Sequence, residues 1–361
     1  MKVPNEGEAL GMATEKKGRA KRQHFVPRCL LKRFSETEQA TSVFVIGSAT
    51  FVKTAGIKTQ CAADYYYGHE QSIESALGRL ESAFSEAIGD LSVATLDRMS
   101  QDALSIVRAF VHVQAERTPF AGEVMRNTYL NMGQQLYSAY AKANELPEDD
   151  AVERAERFAD HQMPTPGAHT VELAVRHQSA LADLAVKFVV ADGFIVSDHP
   201  ALSLNLWRDE HPRFGTWPTL GGLATKGFMY LMPIATNRLA VIYDSDTYEV
   251  GGVDSRVARA QPEDVIALNA LQTINASRLL FDSTVVMPVD LAAALNIRNQ
   301  VRAESGSGPL PLRPAGIPLS FLRVIDREPY DGWDLAMLPP RPRAGMRPAA
   351  RDDTHEKGES K

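Results

Sequence analysis

Apolar positions at Ile73, Leu77, Leu80, Phe84, Ile88 and Leu91 recur at helical spacing and fall on one stripe at about 100° per residue, which predicts an amphipathic helix. On the same wheel Glu74 and Glu81 superpose roughly 60° from the centre of that stripe, so two carboxylates share the boundary between core and solvent. Either they solvate a helix rim or they serve a site. A second helix is predicted from about Gln101, carried by Leu104, Val107, Phe110, Val111 and Val113. Gln114 and Arg117 follow Phe110 at i+4 and i+7, so polar groups interrupt its core-facing stripe. An amide or guanidinium buried there without partners would be costly, and Glu74 or Glu81 are natural acceptors; a buried Arg-Glu pair is the plainest reading. Pro119 should kink or restart the helix before Met125, Tyr129, Met132 and Leu136.

Further along, residues 148–160 form a charged amphipathic stretch closed by Met163-Pro164-Thr165-Pro166-Gly167, as in a peripheral helix inserted over residues 145–168. Another helix is predicted over residues 171–188. Asp192-Gly193 then supplies a turn, and Phe194-Ile195-Val196 a buried strand that exits into Ser197-Asp198-His199-Pro200. Residues 42–46 read as a strand, and residues 228–234 and 239–243 flank Ala235-Thr236-Asn237-Arg238 as a hairpin in which Pro233 demands an edge or a bulge. Pro262-Glu263-Asp264 opens a last helix, with Pro in its first turn and acids at its positive end, before a strand at Leu279-Leu280-Phe281. The fold class that follows is α+β and predominantly helical, with helices packed against a small mixed or antiparallel sheet.

The pattern also marks what does not join that unit. Residues 1–22 read as a basic, disordered leader and residues 23–300 as one globular domain. Residues 301–335 read as a Pro/Gly-rich loop with a loosely attached segment around Phe321 to Trp333, and residues 336–361, which include Pro339, Pro340, Arg341 and Pro342, as a disordered tail.

At 361 residues and 44% hydrophobic content the chain can bury a sizeable core. No apolar leader segment and no run of about 18 apolar residues is present, so neither a secretory signal nor a membrane span is expected and the protein is placed in the cytoplasm. Cys29 and Cys61, the two cysteines, are expected to be reduced thiols. The net charge of −6 argues against a protein that coats nucleic acid, yet Lys16, Lys17, Arg19, Lys21, Arg22, Arg28, Lys32 and Arg33 cluster near the start. Nucleic acid is therefore a conceivable partner through residues 16–33 alone, against the plainer reading of a solvated leader.

Several motifs group together. Gln23-His24-Phe25-Val26-Pro27 is followed by Leu30, Leu31 and Phe34; Asp64-Tyr65-Tyr66-Tyr67 precedes the helix of Ile73 and Glu74; then come Arg117-Thr118, Phe194 through Pro200, and Met232-Pro233-Ile234. Over most of residues 23–285 the sequence resembles domain-of-unknown-function family 4238, a largely bacterial group without an established activity. The usual Asp-Asn-Pro of that family is Asp198-His199-Pro200 here, and the resemblance implies no reaction.

Chemistry has to come from the residues that these motifs position. Imidazole and carboxylate are ordinary ligands for divalent metals, and His24, Glu74, Glu81, Arg117, Asp198 and His199 could form a metal or acid-base site. One reading is a metal-assisted hydrolase, of phosphodiesterase or nuclease type, with His24, Glu74, Arg117 and Asp198 as catalytic residues and a divalent metal as cofactor. His24 and Pro27 have the His-x-x-Pro spacing of His-Asn-His nucleases, but no second His or Asn ligand follows at short helical spacing, and a structural histidine fits equally well. The alternative is a non-catalytic module that binds a ligand or partner, in which the same residues form a structural polar network. Gly-x-Ser-x-Gly, Walker and Gly-x-Gly-x-x-Gly patterns are lacking, which withdraws support from common hydrolase, nucleotide and redox classes.

Overall fold

The computed structural model describes residues 21–69, 71–145, 151–162, 166–207, 222–252, 254–282, 291–305 and 319–325. In chain order the first elements are β1 (Arg22–His24), α1 (Arg28–Leu31), β2 (Ala40–Val45), β3 (Thr50–Gly56), β4 (Ala62–Asp64) and α2 (Gln71–Ala87). Then follow α3 (Val93–Asp97), α4 (Gln101–Glu116), α5 (Pro119–Ala143), α6 (Ala151–Gln162), α7 (Pro166–Arg176) and α8 (Gln178–Ala182). The main strands come next: β5 (Ala185–Val190), β6 (Val196–Ser197), β7 (Leu202–Leu204), β8 (Met229–Ala235), β9 (Arg238–Tyr243), β10 (Tyr248–Val250) and β11 (Val257–Arg259). Last are α9 (Pro262–Asn275), β12 (Leu279–Asp282), α10 (Leu291–Ser305) and β13 (Leu322–Val324). The fold is α+β, as expected, with helix the larger share.

A five-stranded sheet in the order β11-β5-β9-β8-β7 forms the centre. It is mixed, because β11 runs parallel to β5 while the other pairs are antiparallel. Alternate residues of its strands face two different helical layers. Val186, Phe188, Tyr230, Met232 and Ile242 pack against Leu104, Val107, Phe110 and Val111 of α4. On the opposite face Leu202, Met229, Leu231, Leu239 and Val241 pack against Val265, Leu268, Leu271 and Ile274 of α9. Covered on both sides, β8 is buried at every position. Beyond α4 lies α2, and the Phe84 and Phe110 rings stack between the two helices with centroids 3.6 Å apart.

A second sheet, β3-β2-β12-β6, is antiparallel throughout and closes over Val26, Leu30, Leu31 and Phe34 of the N-terminal motif. The predicted hairpin is β8 and β9, and the register shifts between Pro233 and Ala235, the bulge that proline demands. Thr118 caps α5, its Oγ1 accepting from the Ala121 amide at 3.3 Å, and Pro119 takes the first helical position, so the proline restarts the helix as expected.

The helix expected over residues 171–188 is a correction: the chain folds there as α7, α8 and strand β5. Leu181, Leu184 and Phe188 are all buried at i, i+3 and i+7, which imitates a helical stripe. Burial of Val186 and Phe188 on one face of the sheet and Val189 on the other decides for the strand. The expected peripheral helix is α6, which packs along α5, where Gly133 sits so close to Ala155 that a Cβ would lie 3.0 Å from the Ala155 Cα. Residues 319–325 pack more closely than a loosely attached segment would: Leu319 and Phe321 are buried, and β13 pairs with β10. The predicted leader lies outside the described residues as far as residue 20, and the predicted tail lies outside them entirely.

Candidate functional site

The N-terminal motif is wired into the helices through its backbone. Gln23, fully buried in β1, accepts from the Tyr67 amide at 2.6 Å and donates to the Gly68 carbonyl at 3.2 Å. The Tyr67 hydroxyl donates to the His24 carbonyl at 3.0 Å, and Gln114 Nε2 donates to the Phe25 carbonyl at 2.8 Å. Arg117 donates from Nε to Gln114 Oε1 at 2.9 Å and from Nη1 to Glu81 Oε1 at 2.8 Å. The polar interruption at the end of α4 thus finds partners on α2 and in the N-terminal motif.

Of the four predicted site residues, His24 and Glu74 each come within electrostatic reach of Arg117. Burial, reinforced by the Glu81 charge, pushes the Glu74 carboxyl up while Arg117 pulls it down. Burial, followed by Arg28, pushes the His24 imidazole down, and Arg117 adds to that effect. His24 Nε2 and Arg117 Nη2 are buried without a hydrogen-bond partner among the described residues. Asp198 belongs to another element. Its Oδ1 and Oδ2 accept from the Ser277 and Arg278 amides, each at 2.8 Å, and so hold the turn between α9 and β12. Arg298 of α10 braces the same turn, donating to the Ala276 and Ser277 carbonyls at 3.1 and 2.7 Å. Among the described residues no three His, Cys, Asp or Glu side chains gather as they would around a metal ion.

His199, the neighbour of Asp198, points the search elsewhere. Its Nδ1 shares a 2.6 Å hydrogen bond with Thr118 Oγ1, and its ring lies 4.9 Å from that of Phe120. Its backbone is pinned by Ser197 Oγ, which donates to the His199 carbonyl at 2.8 Å, and by Asn275 Nδ2, which donates to the same oxygen. His199, Phe120 and Asn275 help to wall a cavity of about 510 Å³ between the end of α4, the first turns of α5, α7 and the strand exit at residues 199–203. Its apolar lining comes from Phe120, Val124, Met125, Tyr129 and Met132 of α5, and its polar lining includes Glu116, His169, His199, Ser203 and Asn275.

Glu116 is the last residue of α4, one turn beyond His112 on the same helix face. Burial pushes its carboxyl up to about 7, and it has no hydrogen bond or ion pair among the described residues. Behind it, His112 Nδ1 shares a 3.0 Å hydrogen bond with the Tyr230 hydroxyl, and His112 Nε2 a 3.1 Å one with His177 Nδ1. Ser203 faces Tyr230 across the β7 and β8 pair, with its hydroxyl in reach of the phenol oxygen. Burial, then His177, pushes His112 down to about 4, so this chain of rings is neutral near pH 7.

None of Glu116, His112, His169, Ser203 or Asn275 stood out in the sequence. A signal for Glu116 did exist: an acid in the last turn of a helix faces the negative end of the dipole, the reverse of the usual preference. The basic segment is described only from Lys21 onward, and two of its cations are already paired, Lys21 with Asp64 and Lys32 with Glu38, each at 3.0 Å. No helix among the described residues is long and apolar enough to cross a membrane.

Neither the curated proteins nor the solved structures contain a match to this chain. The resemblance carried by the motifs is borne out, because the family model described as protein of unknown function (DUF4238) matches residues 22–285. The residues that pin the strand exit and those that tie β1 to α4 lie within that span, and the chain belongs to the DUF4238 family.

Proposed function

We propose that the protein is a binding module whose cavity between α4, α5 and the strand exit takes a small organic molecule, and that His24, Glu74, Arg117 and Asp198 serve as a structural polar network. One observation carries this reading: the Glu116 carboxyl stands without a partner in a cavity of about 510 Å³, while Arg117 and Asp198 are spent on internal hydrogen bonds. A concave site with an apolar wall and a few polar groups is where ligands bind. Filling the cavity tests the reading. Small apolar and polar fragments followed by ligand-observed NMR should bind the native chain and lose binding in Ala121→Trp; equal binding to both proteins would sink it.

A second reading, a metal-assisted hydrolase acting on a phosphodiester through His24, Glu74, Arg117 and Asp198 with a divalent metal, draws on the unpartnered His24 Nε2 and Arg117 Nη2. It predicts a transition metal bound in near-stoichiometric amount that disappears in His24→Ala.

A further inference from the structure

The cavity reading leaves the chemistry of the occupant open, and the walls restrict it. Among the described residues no lysine or arginine lines the cavity, so a bound anion would find no countercharge from them. Arg117, adjacent in sequence to Glu116, turns its guanidinium to Glu81 and Gln114 instead. Sharing the cavity wall with Glu116 are His169 on α7, His199 at the strand exit and Asn275 at the end of α9; Tyr230 on β8 lies within its electrostatic reach, and His112 stands one turn back on α4. Burial pushes His169 and His112 down and Tyr230 well above its ordinary value, so these three bring no charge near neutrality. Ionised, Glu116 is then the one carboxylate on the cavity wall among the described residues. Two aromatic rings, Phe120 and Tyr129, line the same cavity, and aromatic faces attract cations.

Resting on the cavity reading, we infer that the occupant is an organic cation, an amine or amidine on an apolar body, held with its nitrogen on the Glu116 carboxylate and its body against Phe120, Val124 and Met125 of α5. An ion pair formed there is partly shielded from water, which strengthens it over the same pair on an open surface. A neutral body of the same shape keeps the apolar contacts and loses the pair; an anion of the same shape meets repulsion. Binding also needs Glu116 ionised, so it strengthens as pH rises through the carboxyl's range near 7.

Three probes of one shape separate the possibilities: 2-phenylethylamine, 2-phenylethanol and 3-phenylpropionate, titrated into the full chain near pH 8 with binding read by NMR. The amine should bind at least about tenfold more tightly than the alcohol, with the acid weakest. Between about pH 6 and about pH 8 amine affinity should rise roughly tenfold while alcohol affinity stays level. Glu116→Gln should bring the amine down to the alcohol. The ligand series and the pH series use only the native chain, so they stand even if that variant folds poorly. Alcohol or acid binding as well as the amine would overturn the cation assignment and leave the cavity reading intact. Failure of all three probes to bind would overturn the cavity reading and the assignment with it.

Discussion

Arg117 Nη1 and Glu81 Oε1 lie 2.8 Å apart with the two side chains 1% and 27% exposed, so a guanidinium held inside the fold meets a carboxylate that reaches it from the rim. Such a pair is costly to break from one side, because the remaining charge stays buried. Glu81→Ala should therefore cost about 2–4 kcal/mol, and Arg117→Met distinctly less, since methionine removes the charge and keeps the packing. Urea denaturation of both variants checks the order; an Arg117→Met protein less stable than Glu81→Ala would contradict a purely structural role.

The raised carboxyl of Glu116 carries a pH dependence. Pushed up to about 7, it holds its proton more tightly in the folded protein than in the unfolded chain. Its contribution is complete below the ordinary carboxylate range and is lost as pH rises through about 7. Melting temperature followed from about pH 5 to about pH 8 should fall more steeply in the native protein than in Glu116→Gln. Parallel curves would show that Glu116 is not enclosed as described.

Asp198 accepts two backbone amides, one on each oxygen. Asp198→Asn turns one of those oxygens into a donor facing a donor, and should cost about 1–3 kcal/mol through the turn between α9 and β12. Elemental analysis beside the melting curve separates the roles: a lower melting temperature with unchanged metal content fits the turn, whereas metal lost from a protein that melts normally supports the hydrolase reading.

Gly227 has φ +76°, and a Cβ there would sit 2.6 Å from Asn205 Oδ1 and 2.7 Å from Trp207 Cβ. Gly227→Ala combines a disfavoured backbone with a clash against packed groups, and should cost more than about 2 kcal/mol. Differential scanning calorimetry would detect it; a change smaller than about 0.5 kcal/mol would mean that the loop leading into β8 yields easily.

Much of the scaffold was legible because local rules and tertiary burial agree. Helix α2, though it ends at Ala87 short of Leu91, the start of α4 at Gln101, the restart at Pro119 and the bulge at Pro233 all follow from spacing or from proline chemistry. Strand β5 was hidden because the apolar spacing of Leu181, Leu184 and Phe188 suits a helix as well as a strand buried on both faces. The convergence of Glu74, Glu81 and Arg117 could be read from two helical wheels. The cavity could not, since Glu116, His169, Ser203 and Asn275 arrive from four separate elements and meet only through the packing of β8 and α9. Glu116 was overlooked beside Arg117, whose side chain points into a different network.

The apolar cores on the two faces of the main sheet and beneath the second sheet are assembled without a residue from α5 or α6 among the described ones. Those two helices close chiefly on each other, through Gly133 and Ala155. One wall of the cavity is therefore a cassette, whose inner face can drift between lineages or be redesigned at Phe120, Val124 and Met125 while the sheet that holds Glu116 in place keeps its stability.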